Sequence, residues 1–431
     1  MKIIRFSDED FKSKFDSIIK SASASIGDVS VKVQNIIDEV KNQGDEAIIK
    51  HISMFDKWTP KDASALVVDE KIIEEAYHNA DEALKDALLL AYERIKSFHE
   101  KQMPKSWIDY EENGSMLGQK ITPVDCAGLY IPGGKASYPS SMLMNAIPAQ
   151  VAGVKEIIVC VPTPNDELNP VVLAAAYVCG ISKIFKVGGA SAIAAMAYGT
   201  DSIPKADVIT GPGNIYVATA KKLLFGEVNI DMIAGPSEIG VLADSDANPE
   251  LIAIDLLSQA EHDEMARSIL ITDSEELALK VASEVEIALK ILPRAEIARK
   301  SIETNGVIII SNDLSHSIKL MNKIAPEHLE VMTKNPHELL PLIKHAGAIF
   351  LGENTPEAIG DYVAGPNHTL PTSGTARFFS PLGVENFLKR SSIISMSKSG
   401  LQEVGAAAAL IAGIEGLDAH RMSVEKRLQN K

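Results

Sequence analysis

Residues 156–199 read EIIVCVPTPNDELNPVVLAAAYVCGISKIFKVGGASAIAAMAYG. A β-branched run, EIIVCV, gives way to a proline-led, alanine-rich stretch near Pro170–Cys179; a second short run, KIFKV, gives way to ASAIAAMAYG. Runs that are apolar throughout suit strands covered on both faces, and the longer stretches between them have helical length, so the segment reads as βαβα. Working outward, the alternation continues through DVIT, the turn Gly211-Pro-Gly-Asn214 and the helical IYVATAKKLLF, then through SILIT, a long helix from Glu275, GVIII and AIFLG. Open parallel sheets are the expected result. Upstream, Asp69 to Gln102 carries helical spacing, with Ile72, Ile73, Ala76, Tyr77 and Ala80 on one stripe and Asp69 as N-cap.

Glycines gather at strand ends in Ile131-Pro-Gly-Gly134, Gly188-Gly189, Gly211-Pro-Gly-Asn214 and Ala234-Gly-Pro-Ser237. Ligand crevices of open sheets form at such turns, although tight βα connections need glycine as well. The full GxGxxG fingerprint is absent. The expected fold is therefore α/β: two open, mostly parallel sheets of incomplete Rossmann-like type flanked by helices, with small helical N- and C-terminal arms.

The 431 residues are 46% hydrophobic, enough for two or three cores, and their formal net charge of −16 with a pI near 5.2 opposes a polyanionic partner such as nucleic acid. The start, MKIIRFSDEDFKSKF, lacks the apolar centre of a signal peptide. The longest apolar run, within Gly405–Ile414, is too short for the roughly 20 residues that cross a bilayer. Cys126, Cys160 and Cys179 have no CxxC spacing and read as structural, so no membrane span and a cytoplasmic location are expected.

Three constellations carry possible chemistry. In Leu256-Leu-Ser-Gln-Ala-Glu-His-Asp263, a helix places Gln259 and His262 at i, i+3, where an amide oxygen and an imidazole could share a metal. Two ligands are too few, and such a pair is also an ordinary surface feature. Asp361 in GDYVAGPNHTLP and His420 in EGLDAHRMS stand in polar, glycine-punctuated segments and could complete a four-ligand set, which spacing leaves open. In Ala325-Pro-Glu-His328, neighbouring groups of an extended segment point opposite ways, so one could work on a substrate hydroxyl and the other on a water; a solvated surface pair is the plain alternative.

Taken together, YIPGGKASYPSSMLM, VGGASAIAAMAYGT, GPGNIYVATAKK, DMIAGPSEI, DLLSQAEHD, IAPEHLE, DYVAGPNHTLPTSGTARF and EGLDAHRMSV, in this order, resemble the histidinol dehydrogenase family along nearly the whole chain. The resemblance implies one zinc ion per subunit held by Gln259, His262, Asp361 and His420, with Glu327 and His328 as acid–base groups. It implies that the substrate L-histidinol is bound by Ser237, His368 and Glu415 together with Gln259, His262, His328, Asp361 and His420, and that NAD+ meets Tyr130 and Asn214. Ser191 stands where the family usually has Gln, and Lys135 where it usually has Arg; altered cofactor affinity is expected from both.

The implied organisation is an N-terminal helical arm over 1–25, a zinc and catalytic α/β domain over 26–129 and 238–381, a cofactor-associated α/β domain over 130–237, and a C-terminal arm over 382–431 that completes the partner subunit's site in a homodimer. The implied reaction oxidises L-histidinol through its aldehyde to L-histidine with two NAD+, the last steps of histidine biosynthesis. A zinc- and NAD-dependent dehydrogenase of another polar alcohol, such as a sulfonated diol, or a zinc hydrolase that needs no NAD+, are the competing readings.

Overall fold

The computed structural model describes residues 1–21, 29–133 and 138–429. Lys135 and the far end of the proposed N-terminal arm lie outside them. The chain divides into two units, residues 1–102 with 125–387, and residues 103–124 with 388–431.

The larger unit holds two all-parallel sheets, in agreement with the α/β expectation. The first has six strands in the order Lys2–Arg5, Val307–Ile310, Arg267–Thr272, Glu238–Ala243, His328–Met332 and Ala348–Leu351. Alternate side chains serve opposite faces. Ile239, Val241, Leu270, Ile308 and Met332 pack with the helices Pro249–Ala260, Glu275–Ala288 and Ala295–Asn305, while Leu242, Ile269, Ile271, Ile309 and Val331 pack with Phe11, Phe15, Ile318 and Met321 on the other side.

The second sheet has five strands in the order Ile184–Phe185, Glu156–Cys160, Cys126–Tyr130, Val208–Thr210 and Asn229–Ile230. Its helices, among them Gly189–Tyr198 and Ile215–Leu224, are rich in alanine and lie close, with Ala190, Ala192, Ala194, Ala195 and Ala197 all buried. This sheet begins at Cys126, ahead of the 130 boundary read from sequence.

The terminal arms, expected from the sequence to be helical, each include a strand. Lys2–Arg5 is an edge strand of the six-stranded sheet, not part of a purely helical arm; four residues are too few to show alternation. The stretch expected to be helical over Asp69–Gln102 forms two helices, Glu70–His78 and Glu82–Glu100, with Asp81 capping the second by accepting from the Ala83 N–H. Asp69 caps the first as expected, but on its stripe Ile73 is buried and Ile72 exposed.

The smaller unit is a three-stranded antiparallel sheet, Leu388–Ser395, Met116–Pro123 and Trp107–Tyr110, followed by the helices Lys398–Ile414 and Asp418–Gln429. The C-terminal segment thus opens with a strand paired to residues 116–123, a long-range pairing that no local pattern announces.

Candidate active site

The six-stranded sheet places its polar groups at the amino ends of two adjacent interior strands. Glu238 and His328 open adjacent strands, with His328 opposite Ile239 in register. Glu327 accepts the backbone N–H of Glu238 at 2.8 Å through Oε2, which also lies 3.8 Å from His328 Nδ1. Both residues are buried, so the pair is neither solvated surface nor fully divergent. Burial pushes the Glu327 carboxyl up to about 8.

His328 Nδ1 stands 3.1 Å from the Glu238 carbonyl and 3.1 Å from Gln259 Nε2. A carbonyl can only accept, so Nδ1–H donates to Glu238, and in the neutral ring the lone pair falls on Nε2. That Nε2 is buried without a hydrogen-bond partner, 3.4 Å from Asp361 Oδ1. Desolvation opposes the charged imidazole, but Glu357, Glu327 and Asp361 outweigh it and hold His328 well above its ordinary pKa.

The helix Pro249–Ala260 brings Gln259 to the same place and ends just before His262, whose N–H reaches back to the Gln259 carbonyl at 3.2 Å. The short helix Glu357–Tyr362 supplies Asp361 and, one turn earlier, Glu357. It lies tight on the sheet because Gly360 faces the Phe350 ring; a Cβ there would stand 2.5 Å from the ring. Glu357 also donates its N–H to Glu330 Oε1 at 2.8 Å, and Glu330 shares a side-chain hydrogen bond with Asp255. Burial drives Glu330 to about 9 and Glu357 to about 8.

His262, Glu357 and Asp361 each offer a ligand atom within 4.8 Å of the others. Beside them Gln259 Oε1 and Glu357 Oε2 are buried with no hydrogen-bond partner. Buried carboxylates and an unpaired amide oxygen converging on one point are costly without a cation, and an imidazole, carboxylates and an amide oxygen suit a borderline divalent ion such as zinc. The residues therefore fit a metal. Glu357 was not among the residues singled out from sequence, yet its i, i+4 spacing to Asp361 was a usable signal.

His368 adjoins the cluster, with Nδ1 2.9 Å from the Asp361 carbonyl oxygen and Nε2 3.4 Å from Ser141 Oγ. Ser237 immediately precedes the strand that carries Glu238, whose side chain pairs with buried Arg267 at 2.5 Å. Glu415 and His420 belong to the smaller unit, where both are exposed.

The five-stranded sheet uses the opposite ends of its strands. Tyr130 closes one strand, its hydroxyl accepting the Gly189 N–H at 3.2 Å. Gly211 follows the next strand with φ +117°, and a Cβ there would stand 2.1 Å from the Tyr130 carbonyl oxygen. Asn214 caps the helix Ile215–Leu224 by accepting from Tyr216 and Val217 N–H. Behind the turn, Asp231 accepts the Gly211 N–H at 2.8 Å and pairs with Lys221, which donates to the Gly211 carbonyl at 3.0 Å. Ser191 is turned inward, its Oγ 2.9 Å from His51 Nδ1, and His51 Nε2 is 3.0 Å from Glu39 Oε2.

All three cysteines are buried free thiols, and burial pushes Cys126 up to about 12 and the other two higher still. None is poised as a thiolate nucleophile.

A buried Glu327–His328 pair beside a metal-fitting cluster on one parallel sheet, with glycine turns at the carboxyl ends of a second, is the arrangement of an α/β enzyme. The histidinol dehydrogenase family profile matches residues 19–428. The chain is 63% identical over 418 residues to the histidinol dehydrogenase of Sulfurimonas denitrificans and 60% identical over 419 residues to that of Wolinella succinogenes, covering 97% of each chain in both cases. The crystal structure of histidinol dehydrogenase from Elizabethkingia anophelis superposes with a TM-score of 0.93 at 36% identity, covering 100% of this chain and 98% of that one. The chain belongs to the histidinol dehydrogenase family.

Proposed function

We propose that the chain oxidises L-histidinol through L-histidinaldehyde to L-histidine, reducing two NAD+, as the closing steps of histidine biosynthesis. The observation that carries this reading is the Glu327–His328 pair set against the partnerless Gln259 Oε1 and the His262, Glu357 and Asp361 group. Zinc would be held by Gln259, His262 and Asp361 with His420, and when bound would supply a positive charge that anchors the amino and imidazole nitrogens of the substrate.

His328 Nε2 takes the alcohol proton as hydride passes to the first NAD+, which leaves the aldehyde, NADH and a proton. Once that NADH has been exchanged for NAD+, Glu327, in the carboxylate form it takes above about pH 8, accepts a proton from a water that adds to the aldehyde carbon, while protonated His328 returns a proton to the aldehyde oxygen. The resulting gem-diol gives its hydride to the second NAD+ and its two hydroxyl protons to the neighbouring bases and solvent, yielding the carboxylate and NADH. The carboxylates around His328 hold it protonated; a cation balancing Asp361 and Glu357 favours the neutral ring that this step requires.

Ser237, His368 and Glu415 are read as further substrate contacts, and Tyr130 and Asn214 as NAD+ contacts. The domain division implied by the resemblance belongs to the same reading, with the zinc and catalytic part over 26–129 and 238–381 and the cofactor part over 130–237; within 26–129, Val33, Ile37, Ile48 and Leu66 pack into the core of the five-stranded sheet, that sheet starts at Cys126, and 103–124 fall in the smaller unit. We read the functional form as a homodimer in which the arm carrying Glu415 and His420 completes the partner's site. The smaller unit's exposed Tyr110, Ile394, Leu410 and Ile414 support such an interface. The reducing cytoplasm suits the three free thiols, and among the described residues no helix is long and apolar enough to cross a membrane.

The test is the number of NADH formed per L-histidinol consumed. A ratio near two that vanishes on chelation and returns with zinc is expected; no NAD+ reduction by zinc-loaded protein overturns the reading.

A further inference from the structure

The buried helix Pro139–Ala152 carries a proline beyond its first turn, Pro148. Proline has no N–H, so the carbonyl of Met144, one turn back, loses its helical partner. Met144 is fully buried, and an unpaired buried acceptor is a substantial loss. The vacancy is filled from a distant segment: Asn367 Nδ2 donates to the Met144 oxygen at 2.6 Å.

Asn367 is buried too, and its Oδ1 accepts the Thr369 N–H at 2.9 Å, closing a turn around His368. From that turn His368 reaches the Asp361 carbonyl through Nδ1 and Ser141, on the same helix, through Nε2. Asn145, on the next turn of the helix, reaches the other sheet. Its Oδ1 accepts the Thr210 hydroxyl at 2.9 Å, immediately before the Gly211 turn.

We propose that Asn367 is a positioning residue for the segment carrying Asp361 and His368, seated on the carbonyl that Pro148 vacates, with the helix Pro139–Ala152 keeping that segment in register with the Gly211 turn. The metal and substrate roles rest on the proposed function, but the lock itself is read from Asp361 and tested through metal binding.

The experiment uses the full-length protein and two variants, Asn367→Leu and Asn367→Leu/Pro148→Ala. Leucine is similar in size but has no amide, so the single variant should unfold at lower denaturant and bind zinc about 10- to 100-fold more weakly in competition with a chromophoric chelator, the usual effect of losing a group that orients a ligand. In the double variant the alanine that replaces Pro148 restores a helical N–H to the Met144 oxygen. Its unfolding midpoint should recover, while its zinc affinity stays weak and its KM for L-histidinol stays raised.

Zinc affinity that recovers with stability, or that never falls in the single variant, overturns the proposal. Should the leucine variants not fold, Asn367→Asp keeps the Thr369 contact, sets a carboxylate against the Met144 oxygen and should show the same zinc loss; wild-type affinity there overturns the proposal equally. Wild-type protein that binds zinc but does not oxidise L-histidinol would refute the proposed function, and the chelator competition would still decide the lock.

Discussion

The two sheets of the larger unit share a design, parallel strands flanked by helices with a central strand from which the order runs both ways, yet they use opposite ends of it. The six-stranded sheet gathers Glu238, Glu327 and His328 at the amino ends of its strands and buries further carboxylates, Glu330 and Glu357, beside them. The five-stranded sheet presents glycine turns and backbone N–H groups at the carboxyl ends, where ligand crevices of open sheets ordinarily form. One sheet is built to hold uncomfortable charge in place, the other to let a ligand approach the backbone. The first should fail in chemistry when altered, the second in stability and cofactor binding.

The sharpest break in this comparison comes from the acid–base pair. His328→Ala in zinc-loaded protein should lower kcat by about 10²- to 10⁴-fold, the usual weight of a general base, with the unfolding midpoint little changed. Glu327→Gln should instead bring the ratio of NADH to L-histidinol down from two towards one, because only hydration of the aldehyde is blocked. Steady-state rates and product analysis separate the two effects; a His328→Ala enzyme with an undiminished rate would remove the distinction between the sheets.

On the other sheet, Lys221→Met leaves Asp231 buried without its cation behind the Gly211 turn. A loss of about 3–5 kcal/mol in denaturant unfolding is expected, partly restored by adding Asp231→Asn. Gly211→Ala should cost at least about 1–3 kcal/mol through its left-handed backbone, with the clash of the new Cβ against the Tyr130 carbonyl oxygen adding to it, and raise the KM for NAD+ more than that for L-histidinol. Smallest is Ser191→Ala, which removes one hydrogen bond to His51, worth about 1 kcal/mol. Its KM for NAD+ should stay within about twofold, since the hydroxyl faces inward; a larger change would mean that Ser191 turns towards the cofactor after all.

Much of the fold was legible because it rests on local pattern: EIIVC, SILIT and VIII are strands in both readings. What escaped was non-local. KIIR becomes a strand only because Val307–Ile310 offers an edge, and residues 103–124 belong to the smaller unit because Leu388–Ser395 pairs with Met116–Pro123. In the site, Gln259, His262 and Asp361 announce themselves by residue type, whereas Asn367 resembles any loop asparagine until the carbonyl freed by Pro148 is seen opposite it. Ser191 shows the reverse limit. Its short side chain marked a departure from the family, but only the packing reveals that it has exchanged a crevice for a buried histidine.

The edge strand Lys2–Arg5 bears on how the molecule is made. During synthesis this strand emerges long before Val307–Ile310, the strand it pairs with in the sheet. The five-stranded sheet, drawn wholly from residues 126–230, has all its strands much earlier. A chain elongating at about 5–20 residues per second can thus complete its glycine-turn sheet while the catalytic sheet still lacks strands and leaves its first one unpaired, the period in which that segment is most open to wrong pairing or to a chaperone.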